Sequence, residues 1–254
     1  MLRPITVAAA LVLLAAGCGT KPSSQTRPRA TTSPVESCIE PGPDIRIMQV
    51  AAIGAPVVVI GSGTNGAIMA NQDAGNLCEW LPLAHGLARA GIRVVVFDYV
   101  GGPSDDDVLA IARQLRGQGV RRVALVGAST GGRVVLHAAA RAPRQVDAVV
   151  TLSAERTGRS GFPTLADARR LRSPALYVGT TEDGYTTFGA ETRTLFRATR
   201  APGSRMLLIR GSEHGTDILK SSNAQRVIRA VATFVRTQGR RGHQRLRREE
   251  RPER

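Results

Sequence analysis

The chain has 254 residues, with 35 Lys and Arg against 20 Asp and Glu for a formal net charge of +15, and 42% of its residues are apolar. That apolar content supports a packed core, while aromatics at 4% leave few rings on which bases could stack, so the positive charge does not by itself argue for a nucleic-acid partner. Three cysteines without a CxxC pair, and no closely paired histidines, argue against a metal site.

At the amino terminus, Met1-Leu2-Arg3 supplies a positive start, and Ile5 to Ala16 is an apolar run too short to span a bilayer comfortably. Ala15-Ala16-Gly17-Cys18 then resembles a bacterial lipobox. Residues 1–17 read as a lipoprotein signal peptide, with Cys18 as the lipid-bearing first mature residue. Ala15 stands where leucine is commonest, so ordinary secretion after nearby cleavage stays open. Residues 18–37, polar and interrupted by proline, cannot bury a core and read as a flexible tether. The expectation is an exported protein held by its lipid on the extracytoplasmic face of the cell membrane. In that oxidising setting Cys38 and Cys78 are an even pair and are expected to form a disulfide, the alternative being two separate thiols.

Residues 38–238 are long enough for one large core. Apolar strands are predicted near 56–60, 93–97, 122–127, 146–152, 174–179 and 205–210, with an additional antiparallel strand near 46–50. Helices are predicted near 79–90, 105–117, 131–141, 164–171, 188–199 and 220–236. Such alternation implies an α/β fold, a mainly parallel sheet covered on both faces by helices, with no room for a large cap domain.

Three segments at predicted strand ends carry chemistry. Gly127-Ala128-Ser129-Thr130-Gly131 lies between Val123-Ala124-Leu125-Val126 and a helical pattern, the setting of a GxSxG nucleophile elbow in which Gly127 and Gly131 let Ser129 turn sharply. After the strand 174–179 comes Thr180-Thr181-Glu182-Asp183-Gly184, which makes Asp183 a candidate triad acid. After the strand 205–210 comes Gly211-Ser212-Glu213-His214-Gly215, which makes His214 a candidate general base. Glu182, Asp98 and Asp147 are weaker candidates for the acid, and His85, His137 and His243 are better explained by packing or solvation. Trp80, Leu81, Leu83, Tyr185 and Phe188 lie near strand-end loops, where they could line an acyl pocket or pack in the core.

On these motifs and their order, residues from about 55 to 235 resemble a small α/β-hydrolase of the dienelactone-hydrolase or esterase type. The resemblance implies a serine hydrolase that cleaves carboxylic esters or thioesters of small molecules or lipids through an acyl-enzyme, without cofactor or metal. It also implies an oxyanion hole of two backbone amides, one from the residue after the nucleophile and one from the loop after the third strand. The matching positions are Thr130 and Ser62, the latter in Ile60-Gly61-Ser62-Gly63, where many members carry a His-Gly pair. A catalytically silent binding lipoprotein on the same scaffold is the rival reading. Gly61-Ser62-Gly63-Thr64-Asn65-Gly66 also satisfies GxGxxG, but Asp98 comes too late for a dinucleotide fingerprint.

Residues 239–254 concentrate arginine and read as a basic, disordered tail. Solvation accounts for such a tail, and contact with an anionic envelope surface is the sharper alternative; export argues against nucleic acid.

Overall fold

The computed structural model describes residues 38–157, 161–187 and 189–249, with backbone alone for 238–249; all of these lie in one compact unit. The strands are β1 Ile45–Val50, β2 Ala55–Ile60, β3 Asn65–Ala70, β4 Ile92–Val96, β5 Arg122–Ala128, β6 Ala148–Leu152, β7 Ala175–Thr180 and β8 Arg205–Ile209. They form one eight-stranded sheet in the order β1-β2-β4-β3-β5-β6-β7-β8. β2 runs antiparallel to both of its neighbours, and β3 to β8 pair in parallel. The helices are α1 Leu81–Arg89, α2 Asp105–Gly117, α3 Thr130–Arg141, α4 Thr164–Arg170, α5 Ala190–Ala198 and α6 Ala224–Glu249.

Strand periodicity divides the core. Alternate residues such as Val57, Val59, Ile68, Val95, Val123, Leu125 and Val149 face α2 to α5, whose Ile111, Leu115, Val135 and Leu195 cover them. The intervening residues, among them Val58, Ile60, Met69, Val94, Val126 and Val150, face α1 and α6 through Leu83, Leu87, Val227 and Val231. Both faces being covered, the central strands read as continuous apolar runs.

Two features depart from expectation. The central strand β3 is missing from the sequence reading because its residues, Asn65-Gly66-Ala67-Ile68-Met69-Ala70, are mostly small or unbranched and lack the β-branched signature. Gly66 is required there, since a Cβ would lie 2.9 Å from Val120 Cγ1. The last helix also does not stop near residue 236. α6 continues to Glu249, so the expectation of a disordered tail is corrected for residues 239–249. Arg and Gln are good helix formers, and they outweigh Gly239 and Gly242 in that stretch.

The Cys38–Cys78 disulfide is formed, with a Cα–Cα distance of 5.9 Å. The signal, the tether and Cys18 lie outside the described residues, as does Phe188.

Candidate active site

Parallel strands deliver their following loops to one rim of the sheet, and the candidate residues gather there. β5 ends at Ala128, and Ser129 turns into α3 with φ 45° and ψ −114°, a left-handed conformation that a side chain adopts only under strain. Its amide is held by Leu152 O at 2.8 Å at the end of β6. The glycines of the motif are needed by close approach: a Cβ on Gly127 would strike Gly131 O, and one on Gly131 would strike Ala70 O at the end of β3. Gly132 is similarly confined: a Cβ there would lie 2.8 Å from Ala154 Cβ. A serine that precedes a helix ordinarily caps it with its hydroxyl, but Ser129 makes no side-chain cap. Its Oγ is therefore not spent on the helix, and the first-turn amides of α3 keep their positive end at the elbow.

Asp183 and His214 meet because the pairing of β7 with β8 carries on into their loops: Thr181 N donates to Ile209 O at 2.9 Å and Glu182 N to Gly211 O at 2.8 Å. Asp183 is fully buried. Its Oδ1 accepts from Tyr185 N at 2.9 Å and Thr186 N at 3.3 Å, and its Oδ2 lies 2.8 Å from His214 Nδ1. Burial pushes the Asp183 carboxyl up, but the His214 hydrogen bond and imidazolium charge, with Ser153 and Thr186, outweigh it and hold the carboxyl below its ordinary value. Ser153 acts from close range although its buried Oγ completes no hydrogen bond by distance and angle among the described residues. Because an ionised carboxylate only accepts, Nδ1 carries the proton in this bond, so the lone pair of a neutral imidazole is directed to Nε2. The Tyr185 ring, largely exposed, lies 4.9 Å from the imidazole.

Gly215, with φ 55°, packs directly on Gln72 Oε1, and a Cβ there would lie 3.6 Å from Ala128 Cβ. The residue after His214 thus borders the residue before Ser129. The described residues form no hydrogen bond between Ser129 Oγ and His214.

Ser62 is corrected. It lies in the turn from β2 to β3, and since β2 runs against the parallel strands this turn falls at the opposite rim. Gly63 packs on Gly91 O just before β4, and Ser62 O accepts from Arg93 Nη2 at 3.3 Å. The loop that follows the third strand is 71–76, and it abuts the elbow through the contact of Gly131 with Ala70. Asn71 braces that loop, donating to Phe97 O at 3.0 Å and Asp98 Oδ1 at 2.8 Å and accepting from Trp80 Nε1 at 2.8 Å. Asp98 also accepts from Leu77 N at 2.8 Å, a structural role.

The other candidates fall elsewhere. Asp147 pairs with Arg116 at 2.7 Å, and His137 bonds Asp167 at 2.9 Å. Trp80 and Leu83 are core residues. A cavity of about 370 Å³ opens on the same rim as the elbow, lined by residues 72–76 and by Asp98, Tyr99, Gly102 and Pro103. Sequence reasoning missed Glu155, half-buried beyond β6: burial pushes its carboxyl up, against the charges of His214 and Arg133. It also missed Gln72, since recognising that loop required recognising β3.

The sequence model of a family described as alpha/beta hydrolase fold matches residues 56–183, half of the chain. Comparison with curated proteins returned no match. Among solved structures, the chain is similar to a monoacylglycerol lipase of Paleococcus ferrophilus, with TM-score 0.61 and 14% identity over 76% of this chain and 99% of that one. It is similar to the esterase domain of a Rhodothermus marinus protein, with TM-score 0.62 and 21% identity over 76% and 97%. It is also similar to an esterase/lipase from an uncultured bacterium, with TM-score 0.59 and 16% identity over 79% and 87%. At these identities the likeness is one of fold.

Proposed function

The chain belongs to the α/β-hydrolase fold family, and from that premise we propose that it is a serine hydrolase cleaving carboxylic esters through an acyl-enzyme. The observation that carries the proposal is the 2.8 Å bond between buried Asp183 and His214 Nδ1, on the rim where Ser129 sits strained and uncapped. The proton on Nδ1 leaves Nε2 free to act as the base.

In this reading His214 Nε2 takes the Ser129 hydroxyl proton as Oγ bonds to the ester carbonyl carbon. The carbonyl π pair moves to oxygen, where Thr130 N and an amide of the 71–75 loop stabilise it; one such donor is worth about 2.7–4 kcal/mol. As the tetrahedral species collapses, the C–O bond to the alcohol breaks and the alkoxide leaves with the proton held on Nε2. Water, deprotonated by the same nitrogen, then adds to the acyl carbon; the bond to Oγ breaks, Nε2 returns its proton to Oγ, and the acid departs. Asp183 stays ionised throughout and stabilises the imidazolium.

The cavity beside the 71–76 loop, and the absence of a large cap among the described residues, support an ester of modest size. Export with a lipid on Cys18, and an anionic envelope surface for the basic segment 239–254, belong to the same proposal.

The test is labelling with a fluorophosphonate, alongside turnover of p-nitrophenyl esters of increasing acyl length. Labelling and turnover that vanish in Ser129→Ala are expected. Turnover that survives the substitution overturns the assignment, and folded wild type without label supports a silent binding scaffold.

A further inference from the structure

We propose that Gln72 is a positioning residue that sets the distance between the general base and the oxyanion loop; this rests on the hydrolase reading above. Gln72 has its backbone in the loop after β3 and its side chain against the loop that carries His214. Its Oε1 accepts from Thr216 N at 3.1 Å and packs directly on Gly215. Thr216 N belongs to the first residues of a short 3-10 turn, Gly215–Lys220, whose leading amides have no partner within the turn. Thr216 is fully buried, so without Gln72 that amide would be left unpaired away from water.

A second bond works in the same direction. Thr216 Oγ1 donates to Glu79 Oε2 at 2.8 Å, and Glu79 lies in the 77–80 turn that follows the same loop. The histidine segment is thus gripped from two sides: Asp183 holds the imidazole at Nδ1 from the β7 side, and two residues on, from the β3 side, Gln72 holds the backbone amide of Thr216 and Glu79 its hydroxyl. Gly215 is the only residue type that fits between, because any Cβ would occupy the position of Gln72 Oε1 and because φ is 55°. One side chain therefore fixes where His214 stands relative to the amides that would meet the oxyanion. Misplacement by about 1 Å in such a constellation can cost on the order of 100-fold in rate.

The test compares Gln72→Leu, which keeps the bulk and removes the acceptor, with Gln72→Glu, which keeps an acceptor oxygen at the same reach. Ester turnover is read together with hydrogen exchange at the Thr216 amide. For Gln72→Leu a fall in kcat of roughly 10–100-fold is expected, with KM within about threefold and faster exchange at residue 216. Gln72→Glu should restore kcat to within about fivefold and restore protection. Wild-type kcat in Gln72→Leu overturns the proposal, as does a lower kcat with unchanged protection at residue 216. If wild-type protein neither labels at Ser129 nor turns over esters, the hydrolase reading fails by itself, and exchange alone then decides the tether. Should Gln72→Leu not fold, Thr216→Val removes only the bond to Glu79. It is expected to lower kcat by about 3–10-fold, and an unchanged kcat overturns the grip.

Discussion

Under the proposed mechanism, Asp183 joins stability to chemistry in a single carboxylate. It is buried, yet four contacts keep it ionised: two backbone amides, the imidazole of His214 and the neighbouring Ser153 hydroxyl. In Asp183→Asn the side-chain oxygen can still accept from Tyr185 N and Thr186 N, but an amide facing the imidazole turns it to the tautomer with Nε2 protonated. That nitrogen then cannot take the serine proton, and kcat is expected to fall by about 10⁴-fold while the fold persists, as steady-state kinetics and circular dichroism would report. The same group gives a pH signature. Its folded-state value is depressed, so its stabilisation is fully present above the ordinary Asp range near pH 4 and is lost as pH falls through the lower folded value. Urea midpoints at successively lower pH should fall more steeply for wild type than for Asp183→Asn.

Elements position these residues through close backbone contact, and the elbow is the clearest case. Gly131 of α3 touches the carbonyl of Ala70 in β3, two backbones with no flexible side chain to yield. Gly131→Ala should therefore cost about 2–4 kcal/mol in chemical denaturation. Gly117, at the end of α2 with open space around it, is the control: Gly117→Ala should stabilise by about 0.5–1 kcal/mol. Legibility in the sequence follows the same physics. The β5–Ser129–α3 elbow was readable because its apolar run, paired glycines and helical period are local signals, and the β7 and β8 loops followed in order. β3 was not readable, because a strand buried on both faces between β4 and β5 gains its stability from neighbours and not from its own propensities. With β3 unrecognised, Ile60-Gly61-Ser62 stands in for the oxyanion loop, although it follows antiparallel β2 at the opposite rim. Gln72 and Thr216, 144 positions apart in sequence, carry no local signature of their contact.

At the scale of the whole molecule, the disulfide joins the start of the folded unit to the turn that leads into α1. It closes a segment of 40 residues that contains β1, β2 and β3, among them the sheet's antiparallel edge. In the chain-entropy account, releasing a loop of about this length costs roughly 3–4 kcal/mol, because the unfolded chain regains the freedom that the bond removed. The cost to the site should be far smaller. The 77–80 turn keeps its place without the bond, since Leu77 N is held by Asp98, the indole of buried Trp80 is held by Asn71, and Trp80 is fully enclosed by the core. Glu79, which holds Thr216, rides on that turn. The double variant Cys38→Ser/Cys78→Ser should therefore unfold at a clearly lower urea concentration than wild type and yet label at Ser129 at a rate within about threefold while it remains folded. Equal unfolding midpoints would show that the cross-link contributes nothing to the fold. A collapse of labelling well below the midpoint would show instead that the bond, and not the Asn71–Trp80–Asp98 network, holds the turn beneath the site.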